Sequence, residues 1–310
     1  LFGVDNSESM LKIAKRKSMA HGAKIDFKNE KELQTYVENN MKSILGYKFI
    51  ATEFSVDNCR IDSLGYDEEN KTFIIVEYKN IKNNSLVDQG YSYLALMLKR
   101  KEAFVLKYNN VTKSNYEIKD IDWSQARIVF ISPFFSERQI NATEFEGMPF
   151  DLIKAVKYEN DIVEFDKLSK NPNLKEEYTP KNEKIQDVIK EIKVYTEDYH
   201  LSKTTEKIKE LYEILKNEIL NLGDIDIEYK KFYIAFKGNT NIADAEIYNS
   251  KIKLFINMKK GTLNDQLNLT LDMSKVGHHA NGDYAIEITS EEDIDNAIPL
   301  VKQSLKINKK

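Results

Sequence analysis

Cysteine is nearly absent from this sequence, and its scarcity excludes several classes of protein. Cys59 is the only cysteine among 310 residues, so neither an intramolecular disulfide nor a cysteine-rich metal site can form. With only four histidines, a zinc site would have to rely on carboxylates. No apolar run approaches the roughly 18 residues that span a bilayer, and the N-terminal residues lack the apolar core of a signal peptide. These absences predict a soluble, cytoplasmic protein that has no membrane partner.

An excess of charge of either sign is also lacking. The chain has 46 basic and 50 acidic residues, which gives a formal net charge of -4. This balance argues against a protein that coats nucleic acid through an extended basic surface, but it is compatible with a local basic cleft. Hydrophobic residues make up 41% of the sequence, enough to build folded cores.

The chain is about twice the typical single-domain length of roughly 150 residues, which favours two domains. Pro172 and Pro180 bracket a polar stretch that is typical of a linker. Mixed helix and strand patterns occur on both sides of it. We therefore expect an α/β (α+β) first domain over residues 1–170, a linker over 171–188 and a smaller α+β domain over 189–310.

Apolar spacing predicts the elements of the first domain. Leu33, Val37 and Met41 recur at four-residue steps in a helix that begins near Asn29, and Gly46 stands where that helix would end. Residues 86–99 have helical spacing as well. Strands are predicted over residues 49–54, 59–66, 71–79, 103–106, 126–132 and 162–168.

Three ionisable side chains converge at the end of the predicted hairpin. Glu77 and Lys79 are both odd-numbered residues of one strand, so they point to the same face. A turn over residues 67–70 would pair Asp62 with Ile75, which places Asp62 diagonal to Glu77 on that face. Two carboxylates on an otherwise apolar sheet face cost stability unless a hard divalent cation compensates them.

This set of residues suits phosphodiester hydrolysis. Asp62 and Glu77 supply the oxygen ligands that Mg²⁺ prefers, and a bound metal polarises a phosphate and lowers the pKa of water. Lys79 could orient the attacking water or balance the developing charge. The alternatives are a buried ion pair that serves stability alone and two solvated residues on an exposed sheet face. The apolar run at residues 73–76 disfavours both, because it marks a buried strand, where an unpaired charge is poorly tolerated.

Asp62, then Glu77-Tyr-Lys79, then Gln89-Gly-Tyr-Ser-Tyr93 together resemble the PD-(D/E)XK (restriction-endonuclease-like) nuclease superfamily. The branch that they resemble has a Q-x-x-x-Y helix and includes RecB-type and NucS/EndoMS nucleases. The resemblance spans roughly residues 25–135. It implies a mixed central sheet flanked by helices, DNA as the partner and Mg²⁺ or Mn²⁺ as the cofactor. A homodimer would suit cleavage of both strands.

The resemblance also implies roles for further residues. In that branch an acid on the preceding helix faces the metals, which assigns this role to Glu30, with Glu38 as the second choice. Glu53 stands where related sequences also have an acid. Gln89 and Tyr93 are implied to orient the metal site or to contact phosphate. One departure is that Lys79 is followed by asparagine where the family usually has arginine.

The second domain resembles a companion domain of such nucleases that is labelled "predicted transport protein" or of unknown function. The segment 272–283 matches its signature loop, in which Gly277, His278, Gly282 and Asp283 could bind a ligand or nucleic acid. A glycine-rich turn capped by His278 is the favoured interpretation of that loop. Overall the sequence predicts a metal-dependent DNA endonuclease. The alternatives are a non-catalytic nucleic-acid or protein-binding module on the same fold, or a small-molecule-binding protein.

Overall fold

A computed structural model of the protein describes residues 24–25, 27–79, 86–143, 147–159, 161–168 and 182–308. The chain divides into two compact units between Val194 and Tyr195. Each unit has its own sheet. The following paragraphs take the units separately, beginning with the one that contains Asp62 and Glu77.

The first unit alternates strands and helices. Its strands are β1 (Lys24–Ile25), β2 (Lys48–Val56), β3 (Cys59–Asp67), β4 (Thr72–Tyr78), β5 (Arg127–Ser132), β6 (Phe150–Tyr158) and β7 (Val163–Lys167). Its helices are α1 (Glu30–Asn39), α2 (Met41–Leu45), α3 (Leu86–Lys99), α4 (Lys101–Thr112), α5 (Glu137–Thr143) and α6 (Glu183–Glu191). Two short 3₁₀ turns, Ile118–Asp120 and Trp123–Gln125, lead into β5.

The central sheet of this unit is mixed. Its strand order is β1-β6-β5-β4-β3-β2, and β7 pairs with β6. β3 is antiparallel to its two neighbours β2 and β4, whereas β4, β5 and β6 run parallel. One core contains Leu33 and Val37 of α1. A larger core contains residues of α3, α4 and α6. A mixed sheet flanked by helices was predicted, and the structure confirms it.

The start of α1 follows from its sequence. The Asn29 side chain accepts a hydrogen bond from the amide of Glu32 over 2.9 Å, which caps the helix. Leu33 and Val37 are buried on one face of the helix. Gly46 ends α2 with a φ of 79°, a conformation that glycine adopts without a steric penalty.

Residues 103–106 were predicted as a strand, and that prediction is wrong. They belong to α4, in which Phe104, Val105 and Tyr108 are buried. A four-residue apolar run is consistent with a strand or with one face of a helix, so periodicity alone could not decide between them.

The hairpin of β3 and β4 has a different register from the predicted one. Asp67 pairs with Thr72, and the ladder continues to Ser63 opposite Val76. Asp67 stays in the strand because its Oδ1 accepts hydrogen bonds from the amides of Glu69 and Asn70, both at 3.0 Å. The predicted pairing of Asp62 with Ile75 is therefore wrong by two residues.

The shift preserves which residues share a face, because strand side chains alternate with a period of two. It also improves the convergence of the two acids. Continuing the ladder beyond Ser63 brings Asp62 level with Glu77 instead of diagonal to it.

The first unit extends further than the predicted domain. Residues 171–181 of the expected linker lie outside the described residues, but α6, which covers most of its remainder, belongs to the first unit. Ile185, Val188 and Ile192 are buried in the same core as Tyr91 and Phe104. Their three- and four-residue spacing gives α6 an apolar face that fits this core.

The second unit is a smaller α+β domain, as predicted. Its helices are α7 (Glu197–Leu201), α8 (Glu206–Leu220) and α9 (Glu291–Asn308). Its strands are β8 (Asp226–Tyr229), β9 (Ile234–Lys237), β10 (Asn241–Ile247), β11 (Ile252–Ile256), β12 (Leu271–Asp272) and β13 (Tyr284–Ile288). They form an antiparallel sheet in the order β12-β13-β11-β10-β9-β8, whose core includes Leu215 of α8 and Val301 of α9.

Candidate active site

Asp62 and Glu77 are joined where the β3–β4 ladder ends. Glu77 Oε1 accepts a hydrogen bond from the amide of Asp62 over 3.1 Å. Asp62 Oδ2 accepts one from the amide of Tyr78, also over 3.1 Å. These side-chain contacts replace the ladder bonds and fix both carboxylates next to each other.

Burial makes this pair of acids electrostatically costly. Glu77 is only 1% exposed, and this burial, together with the charge of Asp62, raises the pKa of Glu77 from 4.5 to about 7. The pKa of Asp62 is also raised, mainly by burial, although the Tyr78 amide and Lys79 oppose the shift. Two desolvated carboxylates on neighbouring strands, whose charges repel, favour a bound proton or a bound cation.

Lys79 is the cation placed beside this pair. Its Nζ lies 3.5 Å from Glu77 Oε2, and its side chain is 16% exposed. The amide of Lys79 donates to the carbonyl of Ile131 over 2.9 Å, which holds the end of β4 against β5. Lys79 is therefore a partly buried cation beside a fully buried carboxylate.

Gln89 and Tyr93 of α3 complete the set predicted from the sequence. Gln89 Nε2 donates to Glu77 Oε2 over 3.1 Å and to the Tyr93 hydroxyl over 3.2 Å. The Tyr93 hydroxyl in turn donates to the carbonyl of Arg60 over 3.2 Å. A chain of hydrogen bonds thus runs from the Glu77 carboxylate through α3 to β3.

The two candidate helical acids have different surroundings. Glu30, exposed in the first turn of α1, is close enough to Asp62 for its charge to raise the pKa of Asp62. Glu38 instead accepts hydrogen bonds from the Ser63 hydroxyl over 2.6 Å and from Gln34 over 2.9 Å. The carboxylate of Glu38 is thus engaged by two neutral partners.

The donor set fits a divalent cation held by two carboxylates. Among the residues that the structure describes, no three histidine, cysteine, aspartate or glutamate side chains are arranged to hold a metal ion. Glu30 therefore does not close a cage with Asp62 and Glu77. Mg²⁺ usually keeps several waters and binds through one or two carboxylates, so the Asp62–Glu77 pair is sufficient.

Gln34 and Arg60 were not predicted to contribute to the site. Gln34 Nε2 donates to the carbonyl of Asp62 over 2.8 Å, which anchors β3 to α1 where the ladder ends. The sequence does contain a signal for it, since Gln34 lies between Leu33 and Val37 on the apolar face of α1. No such signal marks Arg60, whose role depends on a contact with α3 from far along the chain.

The signature loop of the second unit has structural roles. His278 Nδ1 is hydrogen-bonded to the carbonyl of Ala280 over 2.8 Å, and the His278 ring stacks on Phe255. Gly282 has a φ of 96°, and a Cβ there would lie 2.0 Å from the carbonyl oxygen of Ile256. Asp283 accepts a hydrogen bond from the amide of Lys260 over 2.7 Å. These contacts match the interpretation of the loop as a turn capped by His278.

No helix in the described part of the chain combines the length and the apolar run needed to cross a membrane. This finding agrees with the lack of long apolar runs in the sequence.

Comparison with known proteins gives similarities of very different extent. The family model for a domain of unknown function, DUF5655, matches residues 197–308 and thus lies within the second unit. The chain is 38% identical to a carboxy-S-adenosyl-L-methionine synthase of Campylobacter hominis over 149 residues, which are 42% of this chain and 62% of that protein. A solved complex of EndoMS with double-stranded DNA is 17% identical, covers 43% of this chain and 48% of its own, and has a TM-score of 0.29, which is too low to support any argument.

The most extensive of these similarities spans both units. An uncharacterized protein of Haemophilus influenzae is 44% identical over 284 residues, which cover 90% of this chain and 94% of that protein. Identity at this level over nearly the full length of both proteins requires the same fold and a common origin. The chain therefore belongs to the same protein family as this Haemophilus influenzae protein.

Proposed function

We propose that the first unit is a metal-dependent nuclease that hydrolyses DNA phosphodiester bonds at the Asp62–Glu77 pair. The observation that carries this proposal is that the desolvated carboxylates of Asp62 and Glu77 each accept a hydrogen bond from a main-chain amide of the other's strand, with the Lys79 ammonium 3.5 Å from Glu77. The order of these residues along the chain, with Gln89 and Tyr93 on the next helix, resembles the PD-(D/E)XK pattern.

Asp62 and Glu77 would hold the Mg²⁺ or Mn²⁺ ion. When bound, such an ion polarises the phosphate and lowers the pKa of water, which supplies the nucleophile at neutral pH. Both acids have raised pKa values, Asp62 mainly through burial and Glu77 through burial and its neighbour's charge. A cation would relieve this penalty, so metal binding and ionisation of the pair favour each other.

The protein's own groups would orient the reaction. Lys79, whose Nζ lies 3.5 Å from Glu77, would hold a water next to Glu77 and stabilise the negative charge that develops on the phosphate. Gln89 fixes the Glu77 carboxylate through Oε2, and Tyr93 holds Gln89 and the main chain of Arg60. Glu30 adds negative charge near Asp62, which would strengthen the attraction for a cation.

A non-catalytic binding module on the same fold is the competing function. Such a module gains nothing from a buried Glu77 beside Asp62, because burying like charges together costs free energy unless they serve a ligand. The two functions differ in their metal dependence. A binding module would hold DNA equally well without divalent cations and with Asp62 neutralised.

Metal-dependent thermal stability tests the proposal. The melting temperature of the parent, of Asp62→Asn and of Asp57→Asn would be measured during Mg²⁺ and Mn²⁺ titrations. Asp57 is an exposed aspartate on the adjacent β2–β3 turn, where it forms an ion pair with Arg100. Asp57→Asn is therefore a matched control. A ligand that binds only the folded state stabilises it by about 2.7 kcal/mol at a hundred times its dissociation constant.

We expect metal to stabilise the parent and Asp57→Asn, and to leave Asp62→Asn unchanged. Equal stabilisation of all three proteins would place the ion elsewhere. No stabilisation of the parent, combined with metal-independent DNA binding, would favour the binding module.

A further inference from the structure

Glu53 of β2 has an unusual conformation beside the candidate active site. Its φ is 49°, in the left-handed region that residues with side chains rarely adopt. The β2–β3 register places Thr52 opposite Ser63 and Phe54 opposite Ile61, so Glu53 is level with Asp62. The charge of Glu53 contributes to the raised pKa of Asp62, which shows that the two are close.

This conformation interrupts the alternation of side chains along β2. The Thr52 hydroxyl accepts a hydrogen bond from Gln34 of α1, whereas Phe54 packs edge-on against Phe104 of α4. In a regular strand these two side chains would share one face. The interruption leaves the Glu53 carboxylate between α1 and β3.

Two cations meet at the Glu53 carboxylate. Lys31 Nζ lies 3.2 Å from Glu53 Oε1, and Arg60 Nε lies 2.8 Å from Glu53 Oε2. The side chains of Lys31 and Arg60 are 59% and 69% exposed, so both can reach a ligand in solvent. Lys31, Arg60 and Glu53 together have two positive charges and one negative charge, so one positive charge is left over for a ligand.

Both cations are connected to the carboxylate pair through hydrogen bonds. Lys31 Nζ donates to Gln34 Oε1 over 3.2 Å, and Gln34 holds the carbonyl of Asp62. The carbonyl of Arg60 accepts from the hydroxyl of Tyr93, which Gln89 links to Glu77. The Lys31 ammonium and the main chain of Arg60 are therefore connected to Asp62 and Glu77.

We propose that Lys31 and Arg60 bind backbone phosphates of the DNA strand, and that Glu53 holds the two cations in place when no DNA is bound. This inference rests on the proposed function, because it concerns the substrate of the same site. Stability alone does not account for the cluster. Exposed ion pairs contribute little to folding, whereas a glutamate held at positive φ is strained, and such strain concentrates at functional sites.

Local phosphate contacts at Lys31 and Arg60 are also consistent with the net negative charge of the protein. A chain with a net charge of -4 cannot bind DNA through general basicity, so its phosphate contacts must be local. Arginine and lysine are the side chains that make such contacts, and each contact releases counterions.

The salt dependence of DNA binding tests the inference. Fluorescence anisotropy would measure the affinity of the full chain for a short labelled duplex and for its single strand, in Ca²⁺ or EDTA. The logarithm of affinity falls linearly with the logarithm of salt concentration, and removing one phosphate contact reduces the slope by about 1. Lys31→Ala and Arg60→Ala should each reduce the magnitude of this negative slope by about 1, and the double variant should reduce it by about 2.

Lys42→Ala is the matched control. Lys42 pairs with Glu68 near the opposite end of the hairpin, and its side chain is 68% exposed. Its removal should leave the slope unchanged. The charge-preserving variants Lys31→Arg and Arg60→Lys should restore the parent slope. Melting temperatures would show that each variant is folded.

The outcomes separate this inference from the proposed function. Parental slopes in Lys31→Ala and Arg60→Ala, or no DNA binding by the parent, would overturn the inference. If the slopes fall while the parent cleaves no DNA with Mg²⁺ or Mn²⁺, the phosphate contacts stand and the catalytic proposal fails. If the parent cleaves DNA and the slopes are unchanged, only the phosphate-binding pair is refuted.

Discussion

The Glu77 carboxylate accepts a hydrogen bond from the amide of Asp62 over 3.1 Å. The Asp62 carboxylate accepts one in return from the amide that follows Glu77. Each acid is thereby fixed by the other's strand. The repulsion between them is built into the fold, because neither can move away without breaking a hydrogen bond.

This arrangement predicts that, without metal, stability falls as pH rises, the reverse of the trend for a carboxylate whose pKa is lowered by folding. The pKa of Glu77 is raised from 4.5 to about 7 by burial and by Asp62. In this window the folded protein holds a proton that the unfolded chain has lost, so the free energy of unfolding should fall as pH rises from about 4.5 through about 7. The raised pKa of Asp62 adds to the same trend.

Urea unfolding in EDTA across this pH range measures the effect. Glu77→Gln should remove much of the decline. The control is Glu68→Gln, because the ion pair with Lys42 lowers the pKa of Glu68, and this glutamate contributes stability that is lost only at acidic pH. A decline that is the same in the parent and in Glu77→Gln would contradict the account.

The hydrogen bonds of α3 predict a loss of activity without a loss of fold. In Tyr93→Phe, the Gln89 amide and the Arg60 carbonyl each lose a partner. Groups that orient metal ligands typically contribute 10- to 100-fold in metal affinity or activity, so we expect a loss of about that size. DNA cleavage rates at several Mg²⁺ concentrations measure it. Tyr36→Phe, at an exposed tyrosine of α1, should behave like the parent.

Glu30 and Glu38 of α1 are predicted to differ. Glu30→Gln should weaken metal affinity and lower the pKa of Asp62, because Glu30 acts on Asp62 through its charge. Glu38→Gln should leave metal affinity unchanged but destabilise the protein by about 1 kcal/mol, because the Ser63 hydroxyl donates to the Glu38 carboxylate. Calorimetric metal titration and urea unfolding of both variants separate the two effects. The reverse pattern would make Glu38 the helical ligand.

The signature loop predicts a glycine effect that is confined to one position. Gly282→Ala should destabilise the second unit by at least about 1 kcal/mol, because the added methyl group would meet the Ile256 carbonyl and the backbone has a φ of 96°. Gly277→Ala should have little effect, since no heavy atom lies within 4 Å of a Cβ at that position. Urea unfolding compares the two variants. Equal destabilisation would show that the loop is constrained differently.

Much of the site could be predicted from the sequence because it depends on local rules. The two-residue period of strands aligns Glu77 with Lys79, and the helical period aligns Gln89 with Tyr93. The register could not be predicted, because it is set by the Asp67 side chain, which binds two amides of the turn and keeps Asp67 in the strand. The predicted register was wrong by two residues. It still placed Asp62 and Glu77 on the same face, only because two residues is the period of a strand.

The exposed cations could not be predicted for a different reason. Lys31 and Arg60 belong to separate elements, and only the interruption of β2 at Glu53 brings them together. Nothing in the sequence around Glu53 indicates a positive φ. The extent of the first unit could not be predicted for a similar reason. α6 follows a polar stretch bounded by prolines, and it packs against residues such as Tyr91 and Phe104 that are distant in the sequence.

DNA cleavage by single-residue variants tests the central claim most directly. The parent, Asp62→Asn, Lys79→Met and the exposed control Asp57→Asn would be incubated with DNA in Mg²⁺, Mn²⁺ or EDTA, and the products separated by size. We predict metal-dependent cleavage by the parent and by Asp57→Asn, with Asp62→Asn and Lys79→Met reduced to the EDTA background. Cleavage by Asp62→Asn at the parental rate would contradict the assignment of the active site to the Asp62–Glu77 pair.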